Sequence, residues 1–61
     1  MIRFDDKIIP RHAVCYIDMY QDREYQYAVR IALINGEDVT ERFLEKSVAN
    51  EKFNELKRWL S

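Results

Sequence analysis

The stretch that most constrains this chain is Tyr25 to Ile34, YQYAVRIALI, in which Tyr25, Tyr27, Val29, Ile31 and Leu33 form an unbroken apolar row at every second position. A period of two over ten residues is the signature of a strand with one buried face, because successive side chains of a strand point to opposite sides. The alternate positions are Gln26, Ala28, Arg30, Ala32 and Ile34. That second face is mixed, so the strand has one side committed to a core and one side on which function is to be sought.

Such a strand needs partners, and the sequence supplies one on each side. Ala13 to Tyr20 again alternates, with Ala13, Cys15, Ile17 and Met19 as the expected core row and Val14, Tyr16, Asp18 and Tyr20 as the outer row. The polar run Gln21 to Glu24 predicts a hairpin loop. If both odd rows share the core, facing residue numbers add to an even number and the loop has odd length, as with Gln21, Asp22 and Arg23; a one-residue slip would turn a whole row to the wrong side. The same test governs Asn35-Gly36. A two-residue turn there would set Ile31 opposite Thr40, whereas a three-residue loop of Ile34, Asn35 and Gly36, with Gly36 in the left-handed region, sets Val39 opposite Ile31 and Phe43 near Tyr27. The apolar pattern favours the second, followed by a strand from Glu37 or Asp38 to about Phe43.

The covering layer is expected at the C-terminal end. Ala49, Phe53, Leu56 and Leu60 recur at spacings of four, three and four, one face of a helix, with Glu51, Glu55 and Arg58 opposite. Ser47 is the expected N-cap, and Lys57 and Arg58 suit the negative end of the helix dipole. Trp59 lies at the flank of the apolar face, where sealing the core edge is favoured over a partner contact. At the other end, Met1 to Phe4 predicts a short strand, Asp5-Asp6 a turn, and Ile8-Ile9 a strand piece at an edge or in a loop because Pro10 ends it. The fold class expected is α+β: an antiparallel sheet of three main strands plus short N-terminal strand pieces, one face covered by a C-terminal amphipathic helix.

Composition narrows the function classes. Sixty-one residues make one small domain, and the 34% charged and 48% hydrophobic residues are those of a folded chain. The formal net charge of -1 gives no long-range field to gather nucleic acid or an anionic membrane. A single Cys15 cannot form an internal disulfide, and the charged residues Arg3, Asp5, Asp6 and Lys7 interrupt any signal-peptide core, so a soluble cytoplasmic protein is expected. One His and one Cys are too few for a zinc site, and no metal or cofactor is expected. His12 and Cys15, three apart on an extended chain, point to opposite sides and do not form a base-nucleophile pair; they read as a loop histidine and a buried thiol. The carboxylates Asp5-Asp6, Asp18 with Asp22, and Glu37-Asp38 sit in or beside turns, where Asp is favoured by local hydrogen bonding. No enzyme is expected.

What remains is the outer face, with Tyr16, Asp18 and Tyr20 from one strand, Arg30 from the next and Arg42 from the third as candidate partner-binding residues. Tyrosine and arginine are enriched where interfaces concentrate their binding energy. Against this stands a plain solvated sheet face, on which tyrosine is simply a good strand former. Aromatic residues interleaved with arginine also suit single-stranded nucleic acid, although Asp18 and the acidic turns oppose it. Self-association through the same face, giving a structural homodimer, is a further alternative. The layout of hairpin, NG turn, short strand and C-terminal amphipathic helix resembles that of many very small bacterial and phage-encoded proteins, including some inhibitors of host defence systems. The resemblance implies action by binding another macromolecule. The expectation is therefore a non-enzymatic protein-binding module, an inhibitor or regulator, acting through the outer face or the exposed edge of Ala13 to Tyr20.

Overall fold

The computed structural model describes residues 1–23 and 26–61. In chain order they form β1 (Ile2–Phe4), β2 (Lys7–Ile9), a 3-10 turn (Arg11–Ala13), β3 (Val14–Arg23), β4 (Gln26–Leu33), β5 (Asp38–Phe43) and α1 (Lys46–Leu60). The strands β3, β4 and β5 make an antiparallel sheet with β4 in the middle, β1 and β2 pair separately, and α1 packs across the three-stranded sheet, so the class is α+β. The expected start of the central strand at Tyr25, with Glu24 before it, lies outside the described residues.

The pairing of β4 with β5 follows the apolar pattern. Ile31 faces Val39 and Tyr27 faces Phe43. The connection is the three-residue loop: the Gly36 amide donates to the Leu33 carbonyl at 3.1 Å, the Leu33 amide donates to Glu37 at 2.8 Å, and Gly36 has φ +91°. The side chain of Asn35 accepts from the Glu37 amide at 2.9 Å and stiffens the turn.

On the other side, Tyr16 to Gln21 pair with Ala32 to Tyr27 in the even-sum register that the parity of the core rows requires. The connection itself differs from the expected loop. Gln21, Asp22 and Arg23 belong to β3, and Arg23 pairs with Gln26 across an irregularity at Asp22. A bulge inside the strand absorbs the odd residue while extending the ladder by further main-chain bonds. A second irregularity, at Cys15, overturns the expected start of β3: Val14 faces Leu33 and packs against the core, not on the outer face, and Cys15 is exposed, not buried. The extra residue reverses the alternation, which exchanges a small thiol for a branched aliphatic side chain on the covered face. Ala13, expected in the core row of the strand, closes the 3-10 turn with its amide on the Pro10 carbonyl at 3.0 Å.

The core consists of Phe4, Ile9, Val29, Ile31, Val39, Ala49 and Leu56, ringed by half-buried Ile17, Met19, Tyr27, Phe53 and Trp59. Trp59 thus seals the edge, as its position on the helix predicts. The helix is capped two residues before the expected position: Glu45 occupies the N-cap without a side-chain bond, and Ser47 lies in the first turn. The earlier start gains the main-chain bond from the Ala49 amide to the Glu45 carbonyl, 3.1 Å, which a helix capped at Ser47 would forgo.

The N-terminal pieces matter more to the core than their length predicts. Asp5 and Asp6 both have positive φ, 50° and 60°, the geometry of a two-residue hairpin turn of type I′, and Phe4 faces Lys7 across it. That register puts Ile2, Phe4 and Ile9 on one side, and Phe4 heads the fully buried side chains by size. The hairpin is anchored at both ends. The Asp5 amide donates to Glu41 of β5 at 3.0 Å, the Lys52 ammonium of α1 lies 5.7 Å from the Phe4 ring centroid, and Arg11 donates to the carbonyls of Leu60 and Ser61 at 2.6 and 3.1 Å, closing the end of α1.

Two outcomes test this architecture. A domain of this length has a stability of about 3 to 9 kcal/mol at typical values per residue, and truncating a buried Phe costs about 3 to 5 kcal/mol. Phe4→Ala is therefore expected to leave the domain unfolded or nearly so at 25 °C, read as loss of the cooperative transition in urea. For Gly36, no atom lies within 4 Å of where a Cβ would sit, so Gly36→Ala meets only the left-handed backbone cost. A loss of about 1 kcal/mol is expected from the midpoint of urea unfolding; a loss above about 3 kcal/mol would mean that the turn is held by more than its backbone.

Candidate protein-binding face

The face of the sheet opposite α1 is built from the even positions of three strands. Directly opposite residues fall in rows: Tyr16, Ala32 and Asp38; then Asp18, Arg30 and Thr40; then Tyr20, Ala28 and Arg42. All five residues singled out from the sequence, Tyr16, Asp18, Tyr20, Arg30 and Arg42, therefore lie on one surface in three consecutive rows.

Their mutual arrangement is specific. Arg30 grips Asp18 with two parallel bonds, Nε to Oδ1 at 3.0 Å and Nη2 to Oδ2 at 2.5 Å, across the β3–β4 pair. The guanidinium also lies 5.3 Å from the centroid of the Tyr20 ring, so one planar group serves a carboxylate along its edge and an aromatic ring with its face. Lysine cannot do both. Arg42 donates through Nε to Asp22 Oδ2 at 2.7 Å. The bond to its carboxylate raises the pKa of each arginine further above its ordinary value, Arg30 through Asp18 and Arg42 through Asp22. Both stay cationic until the pH climbs past that already high value. Ala28, directly between Tyr20 and Arg42, has no exposed surface, so the neighbouring side chains close over it. Tyr16 at the end of the face is 51% exposed.

Asp22 is the member that sequence reasoning assigned to a loop. The signal was present in the spacing, since 18, 20 and 22 continue the outer row of β3. The strand runs three residues further than the polar composition indicates, to Arg23, and that extension brings the carboxylate to Arg42.

Elsewhere the chemistry is sparse. His12 and Cys15 are exposed, in the 3-10 turn and at the first bulge. Among the described residues no three of His, Cys, Asp and Glu converge, and no helix is long and apolar enough to cross a membrane. An open groove of about 610 Å³ runs beside α1, between Phe43 and Val48 at one end and Lys52, Glu55 and Arg58 along its side. Comparison with protein-family models, curated proteins and solved structures found no match, so the functional reading stands on the geometry of the molecule.

The bidentate pair is testable by a double-mutant cycle on Asp18→Asn and Arg30→Gln. Each single variant is expected to lower the melting temperature, and the double variant to lower it by less than the sum of the two. The coupling is expected to shrink at high salt because both side chains are about one-third exposed. Additive losses would mean that the two groups are independent.

Proposed function

We propose that this chain is a non-enzymatic protein-binding module that docks through the outer face formed by Tyr16, Asp18, Tyr20, Arg30 and Arg42. The observation that carries the reading is that Arg30 and Arg42, the arginines of the three central rows, are already matched by carboxylates, Arg30 by Asp18 and Arg42 by Asp22. A surface arranged in this way offers a partner aromatic area and fixed hydrogen-bonding groups in a locally neutral setting. It suits another protein, whose interfaces favour Tyr and Arg anchors.

The same observation weakens the nucleic-acid alternative. Phosphate recognition needs unmatched cationic charge, and here Asp18 and Asp22 stand beside Arg30 and Arg42 in the middle of the face and would repel the backbone of RNA or DNA. An exposed, lone Cys15 fits action in a reducing, cytoplasmic setting, and the inhibitor or regulator role implied by the resemblance in layout is the form of binding activity we favour.

The test is site-specific photo-crosslinking from Thr40, which pairs with Arg30 at the centre of the face. A discrete protein adduct is expected, and it should be lost in Tyr16→Ala/Arg30→Ala, a variant whose folding is checked by circular dichroism. An adduct that survives this double replacement unchanged would assign binding to another surface. In parallel, single-stranded RNA at low salt is expected to show no binding; affinity that falls linearly with log salt by several counterions would favour the nucleic-acid reading instead.

A further inference from the structure

The two edges of the main sheet are protected very differently. Edge strands present unpaired main-chain groups, and proteins commonly blunt them with charge, shortness, bulges or a covering segment. On β5 the strand is six residues long, carries Asp38, Glu41 and Arg42, and is braced by the N-terminal hairpin through the Asp5–Glu41 bond. On β3 the strand is ten residues long, and its irregularities at Cys15 and Asp22 are confined to the ends. Between them Tyr16 to Gln21 form a regular run, Tyr-Ile-Asp-Met-Tyr-Gln, with no proline, no lysine and a single charge, which Arg30 already neutralises.

The direction of the main-chain groups follows from the alternation along β4. Leu33 donates toward β5, to Glu37, and Ile34 donates toward β3, to Ala13. Even-numbered residues of β4 therefore bond to β3, and their partners Tyr16, Asp18 and Tyr20 direct their amides and carbonyls inward. Ile17 and Met19 direct theirs to the open edge.

We propose that a second copy of this chain pairs antiparallel with this edge about a two-fold axis at Met19, joining two three-stranded sheets into one of six strands. The register follows by elimination. The edge-directed residues are odd-numbered and the outer faces must stay on one side, so facing numbers add to an even number and the axis passes through a residue. An axis at Asp18 would set two carboxylates directly opposite each other, an unfavourable like-charge pair. An axis at Ile17 runs into the Cys15 bulge after one further residue, and an axis at Tyr20 runs into the Asp22 bulge just as soon. An axis at Met19 keeps Ile17 to Gln21 regular in both copies and places Asp18 of one copy opposite Tyr20 of the other, a carboxylate acceptor against a phenol donor. The inference uses the strand edge and stands whether or not the outer face binds another protein.

Sedimentation across a dilution series, amide exchange and isotope-filtered NMR on a mixture of differently labelled chains test it together. The expected results are a concentration-dependent species of twice the 7.4 kDa chain mass, an amide of Met19 that exchanges at least about tenfold more slowly in the concentrated sample than in the dilute one, and an intermolecular Hα–Hα contact between Asp18 and Tyr20. A monomer at every concentration up to the solubility limit would overturn the proposal, as would a dimer in which the Met19 amide exchanges at its monomer rate. A contact between the Asp18 residues of the two copies would overturn the register.

Discussion

Val29 and Ile31 are fully buried on the central strand, and the arrangement of the whole sheet depends on keeping both against α1. Because the side-chain period of a strand is two, a slip of one residue in either pairing would bury Asp18 or Thr40 beside them and expose Ile17 or Val39. The penalty is severe in a domain whose core is a handful of side chains. Bulges at Cys15 and Asp22 are local departures that leave this constraint intact: each takes an extra residue out of the ladder, so the pairs between Tyr16 and Gln21 keep the covered row covered.

The outer face is the other half of the same alternation. Once Ile17 and Ile31 are opposite each other beneath the sheet, Asp18 and Arg30 must be opposite each other above it, and Tyr20 must stand beside them. Ion pairs this exposed add little to stability, because solvent screens them and side-chain entropy opposes them. Their effect is geometric. The Arg30 guanidinium, held by two bonds to Asp18 and set against the Tyr20 ring, cannot sweep the surface as an unpaired arginine would, and the face keeps a fixed shape. A fixed surface loses less conformational entropy on binding, which is the physical advantage such pairs confer on a recognition site.

Much of this was legible from the alternation of a single decapeptide. The three main strands, the loop ending at Gly36, the pairing of Ile31 with Val39, the buried face of α1 and the sharing of one face by Tyr16, Asp18, Tyr20, Arg30 and Arg42 all follow from period and parity. The departures share one cause, which is that bulges and caps depend on tertiary context. Nothing in the residues Val14-Cys15 says that the 3-10 turn at Arg11–Ala13 will be followed by an extra residue that sends Val14 inward and Cys15 out. Asp22 and Arg23 look like loop because they are polar, yet the ladder continues through them and Asp22 gains Arg42 as a partner. The role of Phe4 was hidden for a different reason: a three-residue strand carries too little periodicity to announce which side is buried, and only the positive φ values at Asp5 and Asp6 set that side.

The division of labour between the two faces also explains how so short a chain can display an ordered outer face at all. Its covered face is sealed three times over, by α1, by the N-terminal hairpin through Phe4 and Ile9, and by Arg11 closing the end of the helix. None of those contacts draws on the outer-row residues Tyr16, Asp18, Tyr20, Arg30 or Arg42. Side chains that share no partners contribute to stability almost independently, so the outer row can be shaped for a partner without loosening the core. The strand that links the two is β4, whose odd residues are held against the core and whose even residues lie on the outer face.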